Sequence, residues 1–257
     1  MSLVRYEICP PAAVLTLMRA DKRNALSRAL IADLDAAVRR STADAAARCV
    51  IITGDGPAFC AGMDLDELRS TVTADAEVTW ADAQRLAELF DRIYSLPMPT
   101  IAAVNGTAVA GGAGLVTVCD LAVSVSAAKF GYPEVRRGLV AAMVLPHLLR
   151  HVGERAARYL LLTGNVIDAA EAARVGLINQ VVEPAQLMAT AMNWAKACAE
   201  GGPQALATTK ELLKRFSNRA MSVEEGAKAS AAPRLGDECR AGLAAFFDKR
   251  PVPWTNP

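Results

Sequence analysis

Two glycine-containing turns are the first residues whose types and spacing could do chemistry. The first, residues 59–65, follows an apolar strand that ends near Thr53, and the second, residues 105–115, follows a strand that ends at Val104. Each turn leads into a predicted helix, so each can leave backbone N–H groups without acceptors at a helix start. Two such groups aimed at one point would form an oxyanion hole, which stabilises charge developing on a carbonyl oxygen. A single turn is better explained as a tight connection, so it is the pairing that favours function.

One carboxylate, Glu134, stands in a comparable context, in the segment 130–134. It could be a surface glutamate paired with Arg136 or Arg137. It could also be a general base near the oxyanion hole. The residues alone leave both interpretations open.

Other chemical motifs are weak. His147 and His151 are the two histidines of the chain, and on a helix they would share a face. They could bind a metal ion if Glu154 or a distant residue supplied a third ligand. The HExxH pattern is not matched, so two helix-surface histidines are the favoured interpretation. There is no GxGxxG or GxSxG pattern, and Gly112-Ala113 stands where a phosphate loop needs Lys-Ser/Thr. We therefore expect the chemistry to rest on carboxylates or on the backbone.

Composition excludes several functional classes. The 257 residues are 53% apolar with 28 basic and 27 acidic residues, for a net charge of +1. This excludes an intrinsically disordered chain and argues against nucleic-acid binding through long phosphate tracks. The uncharged window 99–119 contains four glycines and few large aliphatic residues, so we expect a buried strand, turn and helix and no membrane span. Six scattered cysteines and the absence of a signal-like start predict reduced thiols and a cytoplasmic protein.

The elements that must position these residues alternate between strands and helices, which predicts an α/β domain. We expect a spiral core over residues 1–199 and a helical C-terminal region over 200–257. The predicted strands are 4–8, 13–18, 49–53, 100–104, 121–125 and 177–182. The predicted helices are 28–40, 74–96, 112–119, 141–151, 155–163, 168–175, 184–199, 204–216, 223–231 and 237–248.

Eight short segments, taken in order, resemble the enoyl-CoA hydratase/isomerase (crotonase) family over residues 3 to 250. Each segment is weak evidence alone, and the order makes the resemblance specific. The segments are 21–26 (DKRNAL), 59–65 (FCAGMDL), 103–106 (AVNG), 111–112 (GG), 119–120 (CD), 130–134 (FGYPE), 162–164 (LTG) and 171–179 (EAARVGLIN).

The resemblance implies a spiral of ββα turns with a C-terminal helical trimerisation region, assembled as a homotrimer or a dimer of trimers. It implies an acyl-CoA thioester as ligand, with no metal or redox cofactor. The thioester carbonyl would accept hydrogen bonds from the N–H groups of Met63 and Gly111, and an enolate would be the intermediate. Glu134 matches a glutamate that would serve as general base. Lys249 and Arg250 could meet coenzyme A phosphates, on the same or on a neighbouring subunit. The expected substrate-binding residues are Lys22, Ala25, Ala61, Asp64, Leu65 and Tyr132, the last as a group that orients a water.

The chain departs from the family pattern at one catalytic position. Hydratases of the family usually carry two glutamates, and Gly114 stands at the first of these positions. One carboxylate suffices to move a double bond, so the departure favours isomerase-like chemistry without excluding hydration. The candidates for a substitute acid are Asp66, Glu67 and Glu77. The rival hypotheses are a non-catalytic acyl-CoA-binding relative and a hydrolase or dehalogenase relative.

Overall fold

The first two strands form an antiparallel pair that begins the large sheet. In the computed structural model, which describes residues 2–71, 75–217, 236–251 and 253–255, β1 (Val4–Cys9) pairs with β2 (Ala12–Leu17). Pro10 and Pro11 form the turn between them, as predicted. β2 is buried along its whole length, because the sheet continues on its other side.

The large sheet then grows by parallel strands. It has the order β1-β2-β3-β5-β7-β10, with β3 (Cys49–Gly54), β5 (Thr100–Val104), β7 (Leu121–Val125) and β10 (Gln180–Val182). These strands read as continuous apolar runs because both faces of a parallel sheet are covered. The predicted strand at 177–182 is shorter in the structure, since it begins at Gln180.

A second sheet of short strands was not predicted from the sequence. It has the order β4-β6-β8-β9, with β4 (Ala58–Cys60), β6 (Thr107–Val109), β8 (Lys129–Gly131) and β9 (Val166–Asp168). Each strand has three residues, too few for an alternating pattern to be visible. Both glycine-containing turns run through this sheet.

The helices follow the predicted boundaries closely in most places. Ser27 caps α1, because its hydroxyl accepts a hydrogen bond from the Leu30 N–H at 3.2 Å. Likewise Asp168 caps α6 through the Glu171 N–H at 2.8 Å. The α-helices are α1 (Arg28–Ala43), α2 (Leu65–Thr71), α3 (Ala76–Tyr94), α4 (Gly111–Val118), α5 (Leu145–Thr163), α6 (Ala169–Arg174), α7 (Leu187–Ala199), α8 (Pro203–Phe216) and α9 (Asp237–Phe247).

The region after Glu134 differs from the predicted pair of helices at 141–151 and 155–163. A short 3₁₀ helix covers Pro133–Arg137, and α5 begins only at Leu145. The predicted break is present as a kink at Gly153, whose φ of 69° is unfavourable for residues with a side chain. Residues 138–144 therefore form a loop, and most of this loop lines a cavity described below.

Successive strand–strand–helix units confirm the expected α/β spiral. Each unit places one strand in the large sheet, one in the small sheet and then a helix, as in β3-β4-α2, β5-β6-α4 and β7-β8-α5. α8 is tied back to the core where Lys210 Nζ donates to Asp120 Oδ2 at 2.5 Å. The predicted helix at 223–231 lies outside the described residues. Within the described part of the chain, no helix is both long and apolar enough to cross a membrane.

Candidate active site

The small sheet brings the two glycine-containing turns side by side. β4 and β6 are parallel neighbours, so the turns that follow them leave the sheet at the same edge. A Cβ placed on Gly62 would lie 3.2 Å from the Gly111 amide nitrogen. A Cβ placed on Gly111 would lie 3.8 Å from the Met63 amide nitrogen. The amides of Met63 and Gly111 therefore share one small volume.

A bridge to Leu26 fixes the direction of the Met63 amide. The Leu26 N–H donates to the Gly62 carbonyl at 2.7 Å, and the Asp64 N–H donates to the Leu26 carbonyl at 3.1 Å. Along an extended segment, the backbone groups of successive residues point to opposite sides. The N–H of Met63, which lies between these two bonded residues, therefore points away from Leu26.

The Gly111 amide is available because α4 begins at this residue. The first N–H groups of a helix have no acceptor within the helix, and the helix start carries a partial positive charge. The preceding residue, Ala110, has a φ of 51°, a conformation that residues with side chains rarely adopt. Its own N–H donates to the Gly131 carbonyl at 2.8 Å, which anchors the turn to β8. Both turns thus present a backbone donor to the same point.

Both amides border a cavity of about 660 Å³. Its walls come from residues within the ranges 21–31, 61–68, 79–90, 109–111 and 133–144. Five of the six predicted substrate-binding residues lie on these walls, namely Lys22, Ala25, Ala61, Asp64 and Leu65. The two turns, Glu134 and these residues are therefore brought together as predicted.

Glu134 lies on the cavity wall in the 3₁₀ helix that follows β8. Its Oε2 atom is buried and has no hydrogen-bond partner among the described residues. Burial raises the pKa of the Glu134 carboxyl, although a bond to its own backbone and the charge of Arg137 act in the opposite direction. No ion pair joins Glu134 to Arg136 or Arg137 in the described part of the chain. The geometry therefore favours the second of the two sequence interpretations, a carboxylate on the cavity wall.

The position of the missing second glutamate is filled by apolar side chains. A Cβ on Gly114 would lie 2.6 Å from Val144 Cγ1 and 2.9 Å from Phe90 Cζ. Both of these side chains are buried, and both line the cavity. The space beside Gly114 therefore cannot accept a carboxylate side chain unless Phe90 and Val144 move.

The candidate substitute acids are either engaged or outside the cavity. Asp66 lies 3.3 Å from Lys22 Nζ, and Glu67 accepts a hydrogen bond from the Arg28 backbone N–H at 2.8 Å. Glu77 is exposed and does not line the cavity. Glu134 is thus the cavity carboxylate with an unpartnered buried oxygen.

Asp64 has a structural role in addition to its place on the wall. Its carboxylate accepts Arg19 Nη1 at 2.5 Å and the N–H groups of Asp66 and Glu67 at 2.9 and 3.2 Å. Burial acts to raise the pKa of Asp64, but these bonds hold it below its ordinary value. Asp64 therefore caps α2 and joins it to the segment before α1.

Tyr132 does not reach the cavity, contrary to the prediction. Its side chain is completely buried, and its hydroxyl donates a hydrogen bond to the Ala113 carbonyl at 3.4 Å. Tyr132 follows β8 and is buried beside Ala113, whereas Glu134 lies two residues later, in the 3₁₀ helix, on the cavity wall. We therefore remove Tyr132 from the residues expected to hold a substrate or a water.

A charged cluster on the cavity wall was missed in the sequence. Asp82, from α3, accepts Arg28 Nε at 2.8 Å and Arg85 Nη1 at 2.7 Å. The Asp82 side chain is 10% exposed, and all three residues line the cavity. Asp82 lies one turn before Leu86 on the apolar face of α3, so helical periodicity could have found it.

Other predicted residues lie away from the cavity. Lys249 and Arg250 are exposed and are not on its wall. His151 Nε2 donates to the Thr117 carbonyl at 2.9 Å, while His147 Nδ1 contacts Arg150 Nη1 at 3.3 Å, so the histidines have separate partners. No group of metal-binding side chains occurs among the described residues. Burial raises the pKa of the Cys60 thiol to about 12, which makes it a poor nucleophile near neutral pH.

The comparison with protein families decides the identity of this site. The family model described as enoyl-CoA hydratase/isomerase matches residues 11–257. The chain belongs to the enoyl-CoA hydratase/isomerase family. The resemblance of the eight sequence segments is therefore confirmed, and the protein is an enzyme of this family that acts on acyl-CoA.

Individual relatives of the enoyl-CoA hydratase/isomerase family match over nearly the whole chain. A relative from Thermus thermophilus is named as an enoyl-CoA hydratase. It is 42% identical over 93% of this chain and 95% of its own length. Mevalonyl-coenzyme A hydratase sidH of Aspergillus fumigatus is 38% identical over 95% of this chain and 92% of its own. A crystal structure of an enoyl-CoA hydratase from Shewanella pealeana matches with a TM-score of 0.93 at 30% identity, covering 98% of this chain and 96% of that one. The spiral described above is thus a crotonase fold.

Proposed function

We propose that this enzyme stabilises the enolate of an acyl-CoA thioester, with Glu134 as its single general base. The N–H groups of Met63 and Gly111 are the proposed donors to the thioester oxygen. The observation that carries this proposal is the unpartnered buried Oε2 of Glu134 on the wall of the cavity that both amides border. Lys22, Ala25, Ala61, Asp64 and Leu65 are proposed to bind the coenzyme A part of the substrate.

The proposed chemistry begins with proton removal from C2. Glu134 takes this proton as the C2–H bond breaks, and the electron pair moves onto the thioester oxygen. The two backbone N–H groups then donate hydrogen bonds to the negatively charged oxygen. In comparable sites each such donor lowers the activation barrier by about 3 kcal/mol. In a 3-enoyl-CoA the enolate is conjugated, so Glu134 can return the proton at C4. The product is the 2-enoyl-CoA isomer, with no other reactant consumed.

The environment of Glu134 suits it to this role. A base works best when its pKa lies near the working pH, because it is then both ionised and able to take a proton. Burial raises the pKa of Glu134 towards that range. The backbone donors also suit the enolate, because the two turns hold them in place before the substrate binds.

The filled space at Gly114 favours isomerisation over hydration. Hydration normally uses two carboxylates to hold and deprotonate the added water, and Phe90 and Val144 occupy the place of one of them. Hydration is the second candidate, because several relatives, including sidH and the crotonyl-CoA hydratase of Syntrophomonas wolfei, are named as hydratases. Glu134 alone would then have to orient the water.

Glu134→Gln is the variant that tests the base assignment. We expect exchange of the C2 proton of butyryl-CoA in deuterated water to fall by at least about 100-fold, because a positioned general base contributes about that much. Mass spectrometry of the recovered thioester measures the exchange. Glu77→Gln, at an exposed glutamate outside the cavity, is the matched control and should retain exchange.

Two outcomes would contradict the proposal. Unchanged exchange in Glu134→Gln would remove Glu134 from the mechanism. Tight butyryl-CoA binding by the unaltered protein without any exchange would favour the rival hypothesis of a diverged acyl-CoA-binding relative. A panel of 2-enoyl-CoA and 3-enoyl-CoA substrates, followed by absorbance and mass, separates hydration from isomerisation.

A further inference from the structure

Arg137 is a cation on a largely apolar part of the cavity wall. Its neighbours on that wall include Leu139, Val140 and Met143, which are exposed apolar side chains. Arg137 is itself exposed, and it makes no side-chain hydrogen bond or ion pair with the residues that the structure describes. A guanidinium prefers bidentate pairing with a carboxylate or phosphate. Arg137 is thus an available anion-binding group beside the proposed reaction centre.

Its neighbour Arg136 has the opposite environment. Arg136 Nη2 donates to Asn165 Oδ1 at 2.6 Å, and both its Nε and Nη2 contact the Thr163 carbonyl at 3.2 Å. Arg136 does not line the cavity. Arg136 is therefore held by structural hydrogen bonds, whereas Arg137 lies on the cavity wall. Arg136 provides a matched control.

The 3₁₀ helix places Arg137 over Glu134. Side chains three residues apart on such a helix eclipse one another, with a rise of about 2.0 Å per residue, so the two positions lie about 6 Å apart along the axis. The charge of Arg137 also acts on the Glu134 carboxyl. An anion bound by Arg137 would therefore lie close to the carbon atoms on which Glu134 is proposed to act.

Several other cations on the cavity wall are already paired. Arg28 and Arg85 bind Asp82, and Lys22 contacts Asp66. Phe90 packs beside Gly114, and the Asp82 cluster is eight residues away from it on α3, or about 12 Å at 1.5 Å per residue. That cluster is therefore a distant alternative for an anionic group, suited to a longer acyl chain.

We propose that Arg137 determines specificity by binding a carboxylate on the acyl chain. The preferred substrates are then acyl-CoA thioesters of short dicarboxylic acids. This inference rests on the proposed function, because it assumes that the thioester lies between the two turns and Glu134. A neutral acyl chain would leave the Arg137 guanidinium unpaired against it, which lowers its relative affinity.

Binding of unreactive saturated thioesters tests the inference without turnover. We expect glutaryl-CoA to bind the unaltered enzyme at least about tenfold more tightly than butyryl-CoA, measured by isothermal titration calorimetry. Arg137→Gln should abolish this preference, because glutaryl-CoA loses the partner of its free carboxylate. Arg137→Lys keeps the charge without the bidentate geometry and should retain part of the preference, and Arg136→Gln should retain all of it.

The outcomes separate this inference from the proposed function. Equal affinity for the two thioesters, or a preference that persists in Arg137→Gln, would overturn the role of Arg137. A preference for suberyl-CoA that Arg28→Gln removes would assign the anion to the Asp82 cluster and also overturn it. Failure of the proposed function would appear elsewhere, as butyryl-CoA exchange in deuterated water that does not depend on Glu134.

Discussion

At the scale of single residues, Gly114 and Phe90 together decide which chemistry the cavity can hold. The Phe90 ring and Val144 lie where any side chain at position 114 would begin. A carboxylate side chain at position 114 therefore requires space at Phe90 and Val144 as well as the change at 114 itself. The size of residue 90 matters as much as the identity of residue 114.

Gly114→Glu alone should lower the free energy of unfolding by about 1–3 kcal/mol, because it overpacks a filled site. Combining it with Phe90→Ala should cost less than the sum of the two single variants, because the alanine removes the clashing ring. Urea denaturation measures all four corners of this cycle. We expect the ratio of hydration to isomerisation to rise in the double variant, and strictly additive energies would show that Phe90 does not occupy the space.

The raised pKa of Glu134 predicts the pH dependence of the reaction. A base must be ionised, so activity should fall as the pH drops below the pKa of Glu134, and the acidic limb of kcat/KM should lie above the ordinary glutamate value of 4.5. Arg137→Gln should move this limb to higher pH, since Arg137 acts to lower the pKa. Arg136→Gln is the control that should leave it in place.

The raised pKa of Glu134 also makes the stability of the folded protein depend on pH, and here a higher pH is unfavourable. Because the folded-state pKa exceeds the unfolded one, the stabilisation linked to Glu134 is complete below the unfolded value and is lost as pH rises through the folded value. This stabilisation is therefore lost over the pH range in which Glu134, the proposed base, becomes ionised. An acidic limb at or below pH 4.5 would contradict the assigned environment.

At the scale of elements, Asp64 holds α2 in place over the cavity. Its carboxylate joins the start of α2 to Arg19, and its side chain is 5% exposed. Asp64→Ala should lower the free energy of unfolding by about 3 kcal/mol, because it removes a cap and leaves Arg19 without its buried partner. The exposed pair of Glu154 and Arg158 offers a control, where Glu154→Gln should cost less than about 0.5 kcal/mol in urea denaturation.

Equal losses in the two variants would mean that Asp64 contributes no more than a surface ion pair. A loss confined to Asp64→Ala would support the dependence of α2 on this cap.

The elements also show which parts of the fold the sequence could predict. β3, β5 and β7 were found because buried parallel strands appear as apolar runs, and α1 and α6 because Ser27 and Asp168 mark their starts. The small sheet was missed because three-residue strands carry no period. Tyr132 was misplaced because its burial depends on packing beside Ala113 in α4, a contact that no local pattern reveals.

At the scale of the whole molecule, family order of motifs predicted what local patterns could not. The pairing of the two turns was inferred from their shared pattern of buried strand, turn and helix, and the order of eight segments implied which N–H groups would act as donors. Neither the local patterns nor the order of the family segments predicted the packing between elements that are distant in the chain. The contact of Phe90 with the Gly114 site and the grouping of Arg28, Asp82 and Arg85 depend on how α1, α3 and α4 meet.

Assembly is the remaining prediction at this scale. We propose a homotrimer or a dimer of trimers, with α5 contributing contacts in addition to the C-terminal region, because α5 exposes Leu149, Tyr159 and Leu162. Sedimentation velocity at micromolar concentration should show one of these species. Leu162→Glu should shift the protein to smaller species, whereas Thr42→Glu, at an exposed polar position, should not, and a monomer in the unaltered protein would contradict the proposal.

The use of backbone donors has a consequence for which substitutions the chain can tolerate. Only proline removes a backbone N–H, so a saturation library should accept many residues other than proline at Met63. The intolerant positions should instead be the glycines beside it, because a Cβ on Gly62 would lie 2.8 Å from Ala110 Cβ and one on Gly112 would collide with the Cys60 carbonyl. The wall residues Arg137 and Phe90 lie outside this constraint. Variation in acyl specificity can therefore accumulate around a fixed pair of donors.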